Sequence, residues 1–350
     1  MSVQSLRLTR PDDWHLHLRD GALMAGVLAD SATWCARAII MPNLKPPVTT
    51  VAAAADYRAR ILAALPPGTV FEPLMTLYLT DNTSADEIRR AAESPFVHAV
   101  KYYPAGATTN SDSGVTDLER AYPALEAMQQ ADLPLLLHGE VTDPEIDIFD
   151  REAVFIERHL DRIQRNFPAL RLVLEHITTD EAVQFVRDAP ETLAATITPH
   201  HLRLNRNAMF VGGLRPHHYC LPVIKRERHR AALVAAATSG NPKFFLGTDS
   251  APHPKAAKES DCGCAGIYSA PVALAVYAEV FEAAGQLARL EAFASFHGPD
   301  FYRLARNSGS IVLERSAEPL PDALQRGGET LVPLAAGSAT GWRLAAGPDT

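Results

Sequence analysis

Apolar and polar positions alternate along this chain with a repeating punctuation: a short apolar run, a turn rich in Gly, Pro, Asn or Ser, an amphipathic stretch of helical length, then another apolar run. Runs of strand character begin near His15, Ala38, Val70, Val97, Leu135, Leu172, Leu193 and Phe244. Between them the spacing predicts helices over Asp20 to Ser31, Val51 to Leu65, Asp117 to Ala131, Arg151 to Phe167, Asp180 to Arg187 and Arg226 to Ser239. Ser84-Ala85-Asp86-Glu87 offers a helix N-cap with acidic residues in the first turn, and Pro66-Pro67-Gly68 stops the helix before it. Further helices are expected near Ala270 to Ala284, Leu290 to Phe296 and Pro299 to Arg306. Eight β-then-α units are what a (β/α)8 barrel requires, so the predicted fold is α/β, a TIM barrel. Residues 309–350 are rich in Gly, Pro and Ala, with strand candidates at Ser310 to Leu313 and Thr330 to Pro333. They are expected to form a C-terminal extension packed on the barrel, making 1–350 a single domain. The 14 residues before His15 leave no room for a substantial N-terminal domain.

Composition narrows the partners. A hydrophobic content of 47% and a charged content of 21% are those of an ordinary globular protein. A net charge of -8 gives no reason to seek nucleic acid or an anionic membrane, which points to small-molecule partners. No apolar run approaches the roughly 20 residues needed to span a bilayer, and the first residues lack a signal-peptide core, so a cytoplasmic location is expected. Cys35, Cys220, Cys262 and Cys264 are too few and too uneven for a disulfide framework and are expected as thiols. Cys262-Gly263-Cys264 reads as a pair of loop thiols.

The candidate chemistry starts at Asp13-Trp14-His15-Leu16-His17-Leu18-Arg19-Asp20. In an extended strand, Asp13, His15, His17 and Arg19 would share one face, while Trp14, Leu16 and Leu18 would share the other. Two imidazoles at i and i+2 can chelate one metal ion. Lys101, His138, His176 and Asp249 each end another predicted strand, and in a parallel barrel those ends meet at one face. This donor set exceeds the needs of one tetrahedral ion and points to two. An ammonium cannot bridge cations, whereas a neutral buried lysine that captures carbon dioxide becomes a carbamate with two anionic oxygens. The small and hydroxyl-bearing stretch Pro104 to Gly114 is expected to be a mobile loop. His200-His201 and His217-His218 are expected in supporting or surface positions, and His98 and His159 in ordinary packing.

On these residues the chain resembles the dihydroorotase family of the amidohydrolase superfamily, in its short bacterial form. Asp13 to Gly21, Met41-Pro42-Asn43, Val100 to Thr109 and Leu137-His138-Gly139-Glu140 carry the resemblance. So do Glu175-His176, Pro216 to Pro222, Gly247 to His253 and Cys262 to Gly266. The resemblance covers almost the whole chain. It implies a binuclear zinc enzyme of pyrimidine (UMP) biosynthesis that interconverts N-carbamoyl-L-aspartate and L-dihydroorotate, and a homodimer. It implies two Zn2+ per subunit, one held by His15, His17 and Asp249, the other by His138 and His176, bridged by N6-carboxylated Lys101. Arg19, Asn43 and His253 would hold the substrate carboxylate, with His138 and the backbone of Leu221 and Ala265 also binding substrate. Asp249 would relay the proton as general base and acid, and Thr108 and Thr109 would tip a closing loop. The alternatives are a related cyclic amidase such as a dihydropyrimidinase, hydantoinase or allantoinase, and a silent barrel retained for assembly. The relatives in the first group generally carry a β-rich domain ahead of the first histidine pair. A silent barrel would be expected to have lost some of the six ligands.

Overall fold

The computed structural model describes residues 3–345. An edge strand, β1 (Ser5–Thr9), precedes eight parallel strands: β2 (Asp12–Leu16), β3 (Arg37–Ile40), β4 (Glu72–Tyr78), β5 (Val97–Tyr102), β6 (Leu135–Leu137), β7 (Leu172–Leu174), β8 (Leu193–Ile197) and β9 (Phe244–Leu246). Each pairs with the next in chain order, with helices in the connections, which is the expected α/β barrel.

The two faces of the strands divide by alternation. Ile39, Met41, Leu74, Ala99, Leu136, Val173, Ala194 and Phe245 point into the barrel and form a small inner core. Their neighbours Ala38, Ile40, Val100, Leu135, Leu137, Leu172 and Leu174 point outward and pack under the helices. Trp14 belongs to the inner core, stacked on Tyr302 with ring centroids 4.3 Å apart, while Leu16 and Leu18 lie in the outer layer. The expected grouping of Trp14 with Leu16 and Leu18 therefore fails. The pairing of β2 with β3 shifts register between Asp13 and Leu16, and an irregularity of this kind breaks the period of two. Gly298 is demanded by this packing, because a Cβ there would stand 1.9 Å from the indole nitrogen of Trp14.

Helix starts follow local chemistry. Ser84 accepts a hydrogen bond from the backbone of Glu87 at 3.2 Å, as its sequence predicts, and Thr50, Thr179 and Thr198 cap their helices similarly. The predicted helices near Leu290 and Pro299 join as one, through a π turn at Ala292–Phe296 into His297–Tyr302. A second π turn, Ile156–Leu160, interrupts the helix that starts at Arg151.

The barrel closes through a narrow seam. Between β2 and β9 the backbone bonds are Asp249 N–H to His15 O at 2.9 Å and His17 N–H to Ser250 O at 3.1 Å. The Asp13 carboxylate reinforces them by accepting from the backbone N–H (2.8 Å) and hydroxyl (2.6 Å) of Thr248.

The tail builds β10 (Ser310–Arg315), β11 (Leu324–Arg326), β12 (Glu329–Leu331) and β13 (Trp342–Leu344). The strand candidate at Ser310 is real, and β12 overlaps the one at Thr330. β10 lies between β1 and β13 in an antiparallel sheet, so the lead segment and the tail form one structure.

Candidate metal centre

Three strand-end residues meet across the seam. His15 Nε2 lies 3.2 Å from His17 Nε2 and 3.3 Å from Asp249 Oδ1, and His17 Nε2 lies 3.1 Å from the same oxygen. Donor atoms bound to one zinc at about 2.0–2.2 Å in a tetrahedron stand about this far apart. All three side chains are buried. His17 presents Nε2 because its Nδ1 is 2.9 Å from Asn43 Oδ1, an acceptor, which assigns the ring proton to Nδ1. Asn43 in turn donates to the backbone oxygen of Thr109 at 3.0 Å.

Beside this triad, His15 Nδ1 lies 3.0 Å from Glu175 Oε1, at an angle unsuited to a hydrogen bond, and Lys101 Nζ contacts Glu175 Oε2. Lys101 and Glu175 are wholly buried. The rings of His138 and His176 sit 4.8 Å apart, and His176 is 5.0 Å from His15. His176 Nδ1 is buried without a hydrogen-bond partner. His138 Nε2 is instead 2.7 Å from Glu140 Oε2, so the second half of the expected ligand set is less converged than the first.

The electrostatics are those of a cation site. Burial works against a charged His15, but Glu175 and Asp249 outweigh it and raise its pKa to about 9. Burial lowers His17 to about 4 and takes His176 well below the ordinary range. Burial also lowers Lys101, against the pull of Glu175, and so favours the neutral amine that carbon dioxide needs. For Asp249 the raising effect of burial is overcome first by the charge of His15, leaving it well below the usual carboxylate range. The two carboxylates thus draw a proton onto His15 where a metal ion would supply the charge. On this donor chemistry the residues fit a divalent ion.

Backbone strain marks the same place. Arg19, His176 and Asp249 all have positive φ, at 65°, 43° and 44°. His176 is held by donating its N–H to Thr196 Oγ1 at 2.8 Å.

Above these residues lies a narrow cavity lined by His15, His17, Arg19, Asn43, Tyr103, Thr108, Thr109, His138, His176, Leu221, Asp249, Ala251, Ala265 and Gly266. Arg19 lies beyond the end of β2, not within an extended strand as expected, and donates to Pro252 O at 3.1 Å. His253 stands behind it, its Nε2 2.9 Å from the guanidinium and 3.0 Å from Ala265 O. The stretch predicted as a mobile loop lies over the cavity. Thr109 Oγ1 donates to Ala265 O (3.3 Å), and Asn110 donates to Asn43 O (3.0 Å).

Two groups escaped the sequence reading. Glu175 lies among the strand-end residues next to His176, and its sequence signal was only the Glu-His pair. Lys258, buried in the wall, donates from Nζ to the backbone oxygens of Tyr219, Cys264 and Gly266, each at 2.8 Å. Nothing in its local sequence distinguishes it from a surface lysine.

Comparison with known proteins agrees with this geometry. A profile described as the amidohydrolase family matches residues 13–317. A dihydroorotase of Cupriavidus necator is 67% identical over 341 residues, covering 97% of this chain and 99% of that protein. One of Methylobacillus flagellatus is 65% identical over 340 residues, covering 97% and 99%. The crystal structure of dihydroorotase from Campylobacter jejuni superposes with a TM-score of 0.90 at 36% identity, covering 98% of each chain. An L-hydantoinase from Arthrobacter aurescens, at 13% identity and a TM-score of 0.75 over 97% of this chain and 87% of that one, shares the fold alone. From its profile match and its near full-length similarity to these relatives, this chain belongs to the amidohydrolase family and, within it, to the dihydroorotases.

Proposed function

We propose that this protein interconverts N-carbamoyl-L-aspartate and L-dihydroorotate in pyrimidine biosynthesis, as a cytoplasmic zinc enzyme. The observation that supports this best is the buried His15–His17–Asp249 triad opening into a small cavity that also holds the Arg19 guanidinium. A charged fork beside a metal-binding triad suits a substrate that carries both a carboxylate and a hydrolysable amide.

In this reading His15, His17 and Asp249 would hold one zinc ion, His138 and His176 would hold the second, and a carboxylated Lys101 would supply oxygens to both. Bound zinc would polarise the ring carbonyl and make water nucleophilic at neutral pH. Carboxylation would put an anion where Glu175 now meets the lysine amine, so metal charge must accompany it. Asp249 takes up the proton of the attacking water and delivers it to the departing amide nitrogen. Arg19 offers its charged fork to the substrate carboxylate, with His253 and Asn43 beside it. Since Asn43 already bridges His17 and Thr109, carboxylate binding would exchange its bond to the loop. The backbone of Leu221 and Ala265 would meet the ring amide, and Thr108 and Thr109 would close over it.

Ring closure consumes one proton, so the equilibrium ratio of ring to open form should rise about tenfold per unit of acidification. The reading is tested with zinc-loaded protein and a substrate panel. Dihydroorotate should be turned over, and dihydrouracil, hydantoin and allantoin should be left largely untouched. Turnover of dihydrouracil in place of dihydroorotate would overturn it.

A further inference from the structure

A second group of metal-ligating side chains lies behind the cavity wall and shares no residue with the triad. His200 and His201 sit on a short helical turn, Pro199–Arg203, after β8, and Cys220 faces them from the segment that carries Leu221. All three are buried, and their ligand atoms lie within 4.8 Å of one another. Cys220 Sγ is 3.7 Å from His201 Nε2 and 3.3 Å from Pro222 O, which is itself 3.1 Å from His201 Nε2. A tetrahedral ion with one sulfur bond of about 2.3 Å and nitrogen or oxygen bonds of about 2.0–2.2 Å sets its donors at separations close to these.

His200 provides the independent sign of a ligand. Its side chain is fully buried against the ring of His201, with centroids 4.5 Å apart, and neither ring nitrogen has a hydrogen-bond partner. A neutral imidazole carries one donor and one acceptor, and leaving both unmet in the interior is unfavourable. Its neighbour is prepared for coordination. His201 Nε2 donates to Pro222 O at 3.1 Å, and Thr198 Oγ1, 2.8 Å from Nδ1, can take up the ring proton there when a metal claims Nε2.

We infer that His200, His201 and Cys220, with the carbonyl of Pro222, form a third, structural metal site selective for zinc or a similar borderline-soft divalent ion. Binding deprotonates Cys220 and releases one proton, giving a neutral thiol's place to a metal thiolate. Burial otherwise pushes this thiol upward, so the free cluster holds no charge that would repel a cation. The ion would pin Cys220 and Pro222 on either side of Leu221, whose backbone lines the cavity. The inference does not depend on what the cavity hydrolyses.

Cobalt substitution tests it. The full chain is produced in medium supplied with Co2+ alone, and its near-ultraviolet spectrum and metal content are measured. A sulfur-to-cobalt charge-transfer band is expected, because the triad and its neighbours offer only nitrogen and oxygen. The band should vanish in Cys220→Ser and persist in the double variant C262S/C264S. Metal content should fall by one ion per chain in Cys220→Ser and in His200→Ala. Absence of the band from cobalt-saturated wild type, or its survival in Cys220→Ser, would refute the site. If Cys220→Ser folds poorly, the spectrum of C262S/C264S decides the matter, because Cys220 and the distant Cys35 are then the remaining thiols and loss of the band would refute the site.

Discussion

At the scale of single residues, Asn43 and Asp249 divide orientation from chemistry. Asn43 fixes the proton of His17 on Nδ1 and leaves Nε2 for the metal. Asn43→Leu is therefore expected to weaken metal binding about 10–100-fold, read by chelator competition. Affinity equal to wild type would count against the orienting role. Asp249→Asn keeps the shape but removes the proton acceptor, so kcat should fall about 10²–10⁴-fold. Lys101→Ala should lose activity and bound metal together, which metal analysis can separate from a purely kinetic defect. That six polar residues would gather at one face was legible from sequence, because a barrel brings the carboxyl ends of all its parallel strands together. Glu175 and Lys258 were not. Their roles rest on contacts with residues 74 and up to 39 positions away, which no local pattern encodes.

Among elements, the strands were legible and their irregularities were not. All eight barrel strands overlap the predicted runs, yet β2 begins and ends three residues early, at Asp12 and Leu16, and its register shift turns Trp14 inward against the expected alternation. The long loop illustrates the same limit, since its hydroxyl residues signal mobility while its bonds to Asn43 and Ala265 hold it down. Lys258 ties together the segments carrying Leu221 and Ala265, and Lys258→Met would strand three backbone oxygens. We expect KM to rise about tenfold and stability to fall by ~3 kcal/mol, read by substrate titration and urea melts. Burial lowers the Lys258 pKa from 10.5 to about 8, despite the opposing influence of Cys220 and Cys264. Between those values the unfolded chain binds the proton and the folded chain does not. This residue's contribution therefore makes wild type more stable relative to Lys258→Met as pH rises from about 8 to 10.5. A flat or falling difference across that range would contradict the lowered pKa of Lys258.

For the whole molecule, Phe210, Val211 and Leu214 stand 60%, 65% and 77% exposed in one loop, the kind of apolar surface that association covers. We propose a homodimer that uses this loop. Light scattering should give twice the chain mass for wild type and the single-chain mass for the double variant F210S/L214S. A dimer unaffected by both substitutions would place the interface elsewhere. The sheet joining β1 to β10 was invisible to local reading for a related reason, since its partners lie about 300 residues apart. The closing seam carries the same arithmetic further. Asp13 meets Thr248 across 235 residues, so fastening β2 to β9 must overcome the loop-closure entropy of most of the chain. His15 and His17 belong to one side of that seam and Asp249 to the other, so the triad does not exist until the ring is shut. Metal capture would then act as a late rivet in folding, and a chain stalled before its eighth barrel strand could not be mistaken by the metal for a finished one.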